Sequence, residues 1–173
     1  MMKINRCFFV LLLFLNVLFS CKKDDMVYEN DFNKSYQSWV NFKKSSGNSY
    51  RYRVTGGSWT GLGTETTITV REGKVIQRTF VLRMPDKETH LPVVLEEWTE
   101  DKTGLNTHSN AAATLTLDEI YQKASTEWLL NRDNVKTYFE TANQGMISSC
   151  GYIENNCADD CFVGIAISVI ERL

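Results

Sequence analysis

The feature that most constrains this chain is an apolar run near its amino terminus that ends at a cysteine. Two basic residues come first, the apolar run covers residues 8–19, and Cys21 follows one small residue later. A membrane-spanning helix needs about 20 apolar residues, and this run is shorter and meets charged residues at once. The order is typical of a cleaved secretory signal. We therefore expect residues 1–20 to be removed and to take no part in the fold.

The residues just before Cys21 indicate a lipid anchor. The stretch Leu18-Phe19-Ser20-Cys21 resembles the lipobox read by the lipoprotein signal peptidase, with an aliphatic residue three places before the cysteine and a small residue beside it. The resemblance implies that Cys21 becomes the mature amino terminus and carries palmitate-type acyl chains. Each buried CH₂ group contributes about 0.8 kcal/mol, so several chains make a stable anchor. The alternative is an ordinary secretory signal with a chance cysteine at the cut site.

Residues 21–30 are short and polar, and we interpret them as a lipidated tether. Lys23-Asp24-Asp25 resembles the signal by which some Gram-negative lineages send lipoproteins to the outer surface, although a solvated spacer explains it equally well. We expect the protein in the bacterial cell envelope, anchored to the outer membrane and facing either the periplasm or the outside.

The mature chain fits one domain. Without residues 1–20 it has 153 residues, with 17 basic and 21 acidic residues, so its net charge is −4 against −2 for the whole chain. An acidic balance with no basic run excludes nucleic acid as a partner. We predict a single α+β domain over residues 31–173, large enough to bury its own core.

Two segments predict helices. The first begins at a capping Asp31 and ends before Gly47, and its apolar residues recur at the spacing of one helix face: Phe32, Tyr36, Trp39 and Val40. The second begins with a T-x-x-E capping box formed by Thr116 and Glu119. Its predicted buried face consists of Ile120, Tyr121, Ala124 and Trp128.

Runs rich in β-branched and aromatic residues predict the strands. Three precede the second helix, at residues 50–54, 66–71 and 75–83, three follow it, at 135–140, 146–153 and 162–170, and 95–99 is a further candidate. Glu72-Gly73 predicts a tight hairpin, whereas the glycine-rich link 55–64 around Trp59 is interpreted as a loop and 103–113 as an exposed connection. The predicted fold class is α+β, an antiparallel sheet packed against two helices in the order α-β-β-β-(β)-α-β-β-β.

Three cysteines remain after Cys7 leaves with the signal and Cys21 takes lipid. In an oxidising compartment, three cysteines are expected to form one disulfide and leave one thiol free. We favour a disulfide between Cys157 and Cys161, which leaves Cys150 as a buried thiol. A zinc site made by these three thiolates and one histidine is the alternative. Its spacings differ from those of a zinc finger or zinc ribbon.

No catalytic constellation is visible in the sequence. The two histidines, His90 and His108, lie in the least regular segment, with no spacing that relates them to a nucleophile. The acidic loop 154–160 has oxygen ligands of the kind that bind calcium, but turn formation explains its Asp and Asn residues more economically. We expect no cofactor, and the calcium alternative stays open.

Five motifs in order resemble a bacterial family of secreted and lipid-anchored proteins known only as a domain of unknown function, with the pattern W, YxY, TVRDGKV, TIDEL, ADD. The matching landmarks are Trp39, Tyr50-Arg51-Tyr52, Thr67-Ile68-Thr69-Val70-Arg71-Glu72-Gly73-Lys74-Val75, Leu117-Asp118-Glu119-Ile120-Tyr121 and Ala158-Asp159-Asp160. The resemblance covers residues 36–172 and implies a fold and a location without an activity. Many such domains carry a cysteine pair where this chain has Gly56-Gly57-Ser58-Trp59, so a crosslink has moved.

The sequence therefore predicts a non-enzymatic envelope lipoprotein that uses its exposed sheet or loops to bind a protein or another envelope component, or to support structure. One alternative is an envelope hydrolase whose site is built from Asp159, Asp160 and His108. Another is a lipid-anchored inhibitor or a carrier of a small ligand.

Overall fold

The structure, a computed structural model, describes residues 25–158 and 161–173. Cys21 and the predicted signal peptide lie outside the described residues, as do Asp159 and Asp160 of the acidic loop. The α+β class is confirmed, with a seven-stranded antiparallel sheet and two helices. In the described part of the chain, no helix is both long enough and apolar enough to cross a membrane.

Within the described residues, two helices and seven strands follow one another in a simple order. The elements are α1 (Glu29–Ser45), β1 (Tyr50–Gly57), β2 (Gly63–Arg71), β3 (Lys74–Pro85), β4 (Pro92–Asp101), α2 (Leu117–Lys123), β5 (Val135–Glu140), β6 (Ser149–Glu154) and β7 (Val163–Arg172). A π-helical turn over Ala124–Trp128 continues α2 directly.

The sheet runs in the order β4-β3-β2-β1-β7-β6-β5, with every neighbouring pair antiparallel. The predicted meander of β1, β2 and β3 is confirmed, and Glu72 and Gly73 form its second turn with φ angles of 50° and 76°. The last strand returns to pair with the first, so Tyr52 lies opposite Ile170. This arrangement makes β4 and β5 the two edges of the sheet.

The core lies between the helices and one face of the sheet, which we call the inner face. Directly paired residues of antiparallel strands share a face, so Tyr52, Ile68 and Ile170 form one buried row. Both helices bury aromatic side chains against it, including Trp39 of α1 and Tyr121 of α2.

Buried hydroxyl groups connect the helical layer to the sheet. The Tyr50 hydroxyl accepts a 2.8 Å hydrogen bond from the amide of Leu117, and the Tyr52 hydroxyl donates to the carbonyl of Leu115. Within the helical layer, the indole of Trp39 on α1 donates to the carboxylate of Asp118 on α2 at 2.9 Å. These bonds fix the start of α2 over β1.

The start of α1 differs from the prediction. The helix begins at Glu29, not after a capping Asp31, and Tyr28 precedes it in a left-handed conformation without a side-chain cap. The Tyr28 ring packs 6.1 Å from that of Phe139, and this contact positions the helix start. The carboxylate of Asp31 instead lies in the first turn, where it suits the helix dipole.

The buried face of α1 is also rotated relative to the prediction. Phe32 and Trp39 are buried as predicted, and Ser35 is the third buried residue of the helix. Tyr36 and Val40 are 45% and 38% exposed, so the prediction that they line the core was wrong. The spacing i, i+3, i+7 describes the contact face because the Ser35 hydroxyl lies 2.8 Å from that of Tyr121.

The first four β-strands extend further than their sequence patterns indicate, whereas the strand predicted at 146–153 begins only at Ser149, because Met146 belongs to the turn that pairs with Asn143. β1 continues to Gly57 and β2 begins at Gly63, so the predicted loop 55–64 shrinks to residues 58–62. Glycine fits at position 56 because a β-carbon there would lie 2.8 Å from the Thr64 hydroxyl on the neighbouring strand. The candidate strand at 95–99 is a full strand of ten residues.

Candidate functional site: the β4 edge of the sheet

The most exposed apolar residues of the described chain include a run on and just before the edge strand β4. The members are Leu91, Val93, Val94 and Leu95, with exposed fractions of 65%, 44%, 47% and 55%. We call these four residues the β4 surface. Among the described residues β4 pairs with β3 alone, so the surface lies beside an edge of the sheet.

An exposed tryptophan lies at the same end of the sheet. Trp59 is 81% exposed in the turn between β1 and β2, where the amide of Ser58 donates to the carbonyl of Leu62. This turn approaches the β3–β4 hairpin closely, because a β-carbon at Gly61 would lie 3.3 Å from the ring of Pro85. Two hairpin tips therefore lie together at this end.

The turn between β3 and β4 is held by one carboxylate. Asp86 accepts hydrogen bonds from the amides of Glu88 and Thr89 and from the Thr89 hydroxyl, at 3.0, 2.8 and 2.9 Å. These bonds lower the pKa of Asp86. The amide of Asp86 also donates to the carbonyl of Leu91, which fixes the start of the β4 surface.

A buried ion pair joins β4 to β3 on the inner face of the sheet. Arg78 of β3 lies directly opposite Glu100 of β4, and its guanidinium donates two hydrogen bonds of 2.9 and 3.0 Å to the carboxylate. Their side chains are only 3% and 2% exposed. Both groups project from the inner face beyond the part that the helices cover.

The same two side chains attach the segment that links β4 to α2. Arg78 also donates to the carbonyls of His108 and Ala112, while Glu100 accepts from the amides of Asn106 and His108. Burial opposes the charged form of Glu100, but the hydrogen bonds from His108 and its neighbours outweigh it and hold the pKa of Glu100 below its usual value. The predicted exposed connection is therefore tied to the sheet by its backbone.

Aromatic rings complete this cluster. The ring of Trp98 stacks on Phe80 at 5.2 Å and on His108 at 4.1 Å, and the Arg78 guanidinium lies 5.2 Å from the Trp98 ring centre. The imidazole of His108 lies 3.0 Å from the Glu100 carboxylate. Hydrogen bonds and ring contacts join these groups, so the cluster stabilises β4, and the Glu100 carboxylate, only 2% exposed, is occupied by partners within it.

The cysteines occupy the positions that the sequence favours. Cys157 and Cys161 form a disulfide across the loop between β6 and β7, which leaves no three thiolates for the zinc alternative. Cys150 is fully buried on β6, and burial raises the pKa of its thiol to about 12. A thiol in this environment is protonated and inert at neutral pH.

The other predicted site residues are not brought together. His90 lies in the β3–β4 turn with a φ of 56°, and His108 belongs to the cluster behind β4. Within residues 25–158 and 161–173, no group of three or more His, Cys, Asp or Glu side chains is placed to hold a metal ion. Asp159 and Asp160 lie outside the described residues, so the structure gives no distances with which to test the calcium site or the hydrolase site.

The chain enters the fold at the opposite edge from β4. Met26 forms a bridge with Leu130, and the Tyr28 hydroxyl donates to the carbonyl of Thr137 on β5. Neighbouring strands lie about 4.8 Å apart, and six intervals separate β5 from β4, so the two edges are about 29 Å apart. Any amino-terminal anchor therefore joins the domain far from the β4 surface.

Sequence reasoning missed Arg78 and Glu100, although a signal for them exists. Arg78 and Phe80 are two residues apart on β3, and Trp98 and Glu100 are two residues apart on β4, so the members of each pair lie on the same face of the sheet. In each strand a charged residue thus falls on the apolar, inward side. Opposite charges at inward positions of consecutive strands indicate a buried ion pair once the register is known.

Comparison of this α+β chain with protein-family models, with curated proteins and with solved structures returned no match. The resemblance to the domain-of-unknown-function family therefore stays a prediction.

Proposed function

We propose that this protein is an envelope lipoprotein, anchored by lipid on Cys21, that works as a non-catalytic binding module and presents the β4 edge of its sheet to an envelope or surface protein. The observation that carries the binding role is the run of four exposed apolar residues beside an unpaired strand edge. Single exposed apolar side chains are ordinary, whereas four of them within residues 91–95, at an edge of the sheet, favour an interaction surface.

The position of the entry point supports this orientation. Four peptide units separate Cys21 from Asp25, so covalent geometry limits that distance to about 14 Å. A lipid on Cys21 would therefore keep the β5 edge close to the membrane surface. The β4 edge, about 29 Å away across the sheet, is then the part of the domain most able to reach a partner.

The edge is also protected in a way that suits a specific partner. Long exposed edge strands invite uncontrolled pairing, and proteins limit this with prolines and charges on the edge. β4 begins with Pro92 and carries an exposed carboxylate at Glu97. These two residues restrict pairing without covering the apolar surface between them.

The anchor is tested by acyl labelling of growing cells. We expect the protein to incorporate a labelled fatty acid and to sediment with membranes, and we expect the Cys21→Ser variant to lose both properties. Labelling that survives the substitution contradicts the anchor.

The binding role is tested by placing a photo-crosslinking amino acid at chosen positions of the full chain in intact cells. We expect one defined crosslinked product from positions 59 and 91, and none from position 140, which is exposed on the opposite edge strand. Absence of a product at both test positions, or equal products at all three, contradicts a binding surface at the β4 edge.

A further inference from the structure

We infer that β4 binds an extended segment of a partner protein, which adds to the sheet as an antiparallel eighth strand with basic residues in its first half and apolar residues in its second half. The inference rests on the proposed binding role and names the chemistry of the partner.

The backbone of β4 offers the hydrogen bonds that such a strand requires. β4 pairs with β3 from Pro92 opposite Pro85 to Asp101 opposite Gln77. No other segment among the described residues pairs with its outer side. In an antiparallel ladder, alternate residues of an edge strand direct their amide and carbonyl groups outward, which is the pattern that an added strand pairs with. The register of β4 against β3 shifts at Leu95, so this alternation runs in two parts, over residues 92–94 and 96–101, and an added peptide has to follow the same irregularity.

The chemistry of β4 changes along its length. Its first half carries the apolar Val93, Val94 and Leu95, and its second half carries exposed acids at Glu97 and Asp101. Glu97 has no ion-pair partner among the residues that the structure describes. A partner that runs antiparallel places its first half beside the acids and its second half beside the apolar residues.

Charge argues against a second copy of this chain as the occupant. Two antiparallel β4 strands that overlap fully place Glu96 opposite Glu97 at the centre, and like charges in directly opposite positions are destabilising. A register shifted by two residues toward the apolar end separates these acids, but it places Glu96 opposite Leu95 and Glu97 opposite Val94, so neither acid gains a basic partner. A segment with Lys or Arg in its first half uses the whole edge and neutralises the acids.

The cluster behind β4 prepares the edge for binding. Arg78 holds Glu100 at the far end of the strand, and Trp98 is stacked between Phe80 and His108. A strand that is already rigid loses little conformational entropy when another strand pairs with it. The cluster thus gives the ion pair a role in binding without contact to the partner.

A synthetic probe tests the inference on protein purified from cells that express the full chain. The probe is a fluorescein-labelled ten-residue peptide that alternates Lys with Thr in its first half and Val with Thr in its second half. We expect saturable binding by anisotropy, together with slower amide hydrogen exchange in β4 and unchanged exchange in β5. A peptide of the same composition with its halves exchanged should bind more weakly.

Two charge reversals provide the matched comparison. Glu97→Lys places a like charge opposite the basic half of the probe and should weaken binding about fivefold. Glu140→Lys makes the same change on the other edge strand, so it should leave the affinity within about twofold of wild type. A peptide with Glu in place of Lys should prefer the Glu97→Lys protein.

Several outcomes overturn the inference. Equal weakening by both reversals means that the peptide responds to net charge alone, and slow exchange of β4 without peptide at high protein concentration means that a second copy occupies the edge. If no peptide binds while positions 59 and 91 still crosslink in cells, strand addition is wrong and the binding module stands. If crosslinking fails as well, the proposed function falls with it.

Discussion

Arg78 and Glu100 lie directly opposite each other on β3 and β4 and form an ion pair that is almost fully shielded from water. The pair contributes to structure in two directions. It joins the edge strand to the sheet, and it provides hydrogen-bond partners for the backbone of the segment that leads to α2. The β4 surface therefore depends on a polar cluster on the inner face of the sheet.

Removing the guanidinium should destabilise the protein strongly. Arg78→Met leaves the Glu100 carboxylate buried without its main partner, and breaking a buried pair in this way is far more harmful than replacing both groups. We expect the melting temperature to fall by about 10 °C, measured by circular dichroism.

Arg83→Met is the matched control on the same strand. Arg83 bonds Glu65 at 2.6 Å on the solvent-facing side of the sheet, where both side chains are about one-third exposed. Exposed pairs contribute little, so this variant should melt within about 2 °C of wild type. A similar loss in both variants would show that burial of the Arg78 pair has no special effect.

The lowered pKa of Glu100 predicts a loss of stability in acid. As pH falls below 4.5, the ordinary value for this side chain, the unfolded chain takes up a proton while the folded chain does not, so protonation favours unfolding. The contribution is therefore fully present at neutral pH and is lost as pH falls below about 4.5. We expect urea unfolding at pH 7, 5 and 3.5 to show this decline.

The Glu100→Gln variant measures how much of the pH dependence of stability comes from this one carboxylate. The variant should be less stable at pH 7, because Arg78 loses a charged partner, and its stability should change less between pH 5 and 3.5. The pKa values of Asp86 and Asp101 are also lowered, so in this variant the free energy of unfolding should still fall with falling pH, but less steeply. An unchanged slope in the variant would assign the acid sensitivity to other groups.

The capping box of α2 should contribute measurably because the helix has only seven residues. The Thr116 hydroxyl accepts from the amide of Glu119, and the Glu119 carboxylate accepts from the amide of Thr116. We expect Thr116→Ala to lower the free energy of unfolding by about 1 kcal/mol in urea titrations. Thr126→Ala in the following exposed turn is the comparison, and an equal loss there would deny the cap a specific role.

A close approach between β6 and β7 leaves no room for a side chain at Gly151. A β-carbon at Gly151 would overlap the carbonyl of Val163 and lie 2.7 Å from the ring of Phe162. Gly151→Ala should therefore destabilise the protein by about 1–3 kcal/mol. At Gly63 nothing lies within 4 Å of the corresponding position, so Gly63→Ala should be nearly neutral; the reverse ranking would show that the strands separate easily.

The cysteines should differ in reactivity. Burial raises the pKa of the Cys150 thiol to about 12, so iodoacetamide should modify it only after unfolding. Cys157 and Cys161 should become reactive after reduction alone, because Cys157 is exposed and Cys161 is only half-buried. Mass spectrometry of the alkylated protein separates these cases. Labelling of Cys150 in the folded, unreduced protein would contradict its burial.

Local contacts explain which parts of the fold could be predicted. The capping box joins Thr116 to Glu119 within a single turn, and the Glu72-Gly73 hairpin requires two adjacent residues with positive φ. Each depends on neighbours in the chain, so the residue pattern alone identifies it. The start of α1 could not be predicted in this way, because Tyr28 takes its position from Phe139 on a distant strand.

Long-range pairing explains what was missed at the candidate site. The pattern shows β4 only as a possible strand, and nothing in it places Tyr52 beside Ile170 or makes β4 an edge. The ion pair of Arg78 and Glu100 depends on the register of β3 against β4. The sequence places Trp59 in a glycine-rich loop, but its position at the same end as the β4 surface depends on the positions of two hairpin tips.

The central claim is that the lipid anchor and the binding surface lie on opposite edges of one sheet, and its most direct test is a depth measurement. A small fluorophore is attached through a non-natural amino acid at position 97 or 140 of the lipidated protein in vesicles whose headgroups carry a quencher. We predict strong quenching from position 140, near the anchored β5 edge, and weak quenching from position 97. Equal quenching at the two positions, or stronger quenching from position 97, would contradict the account.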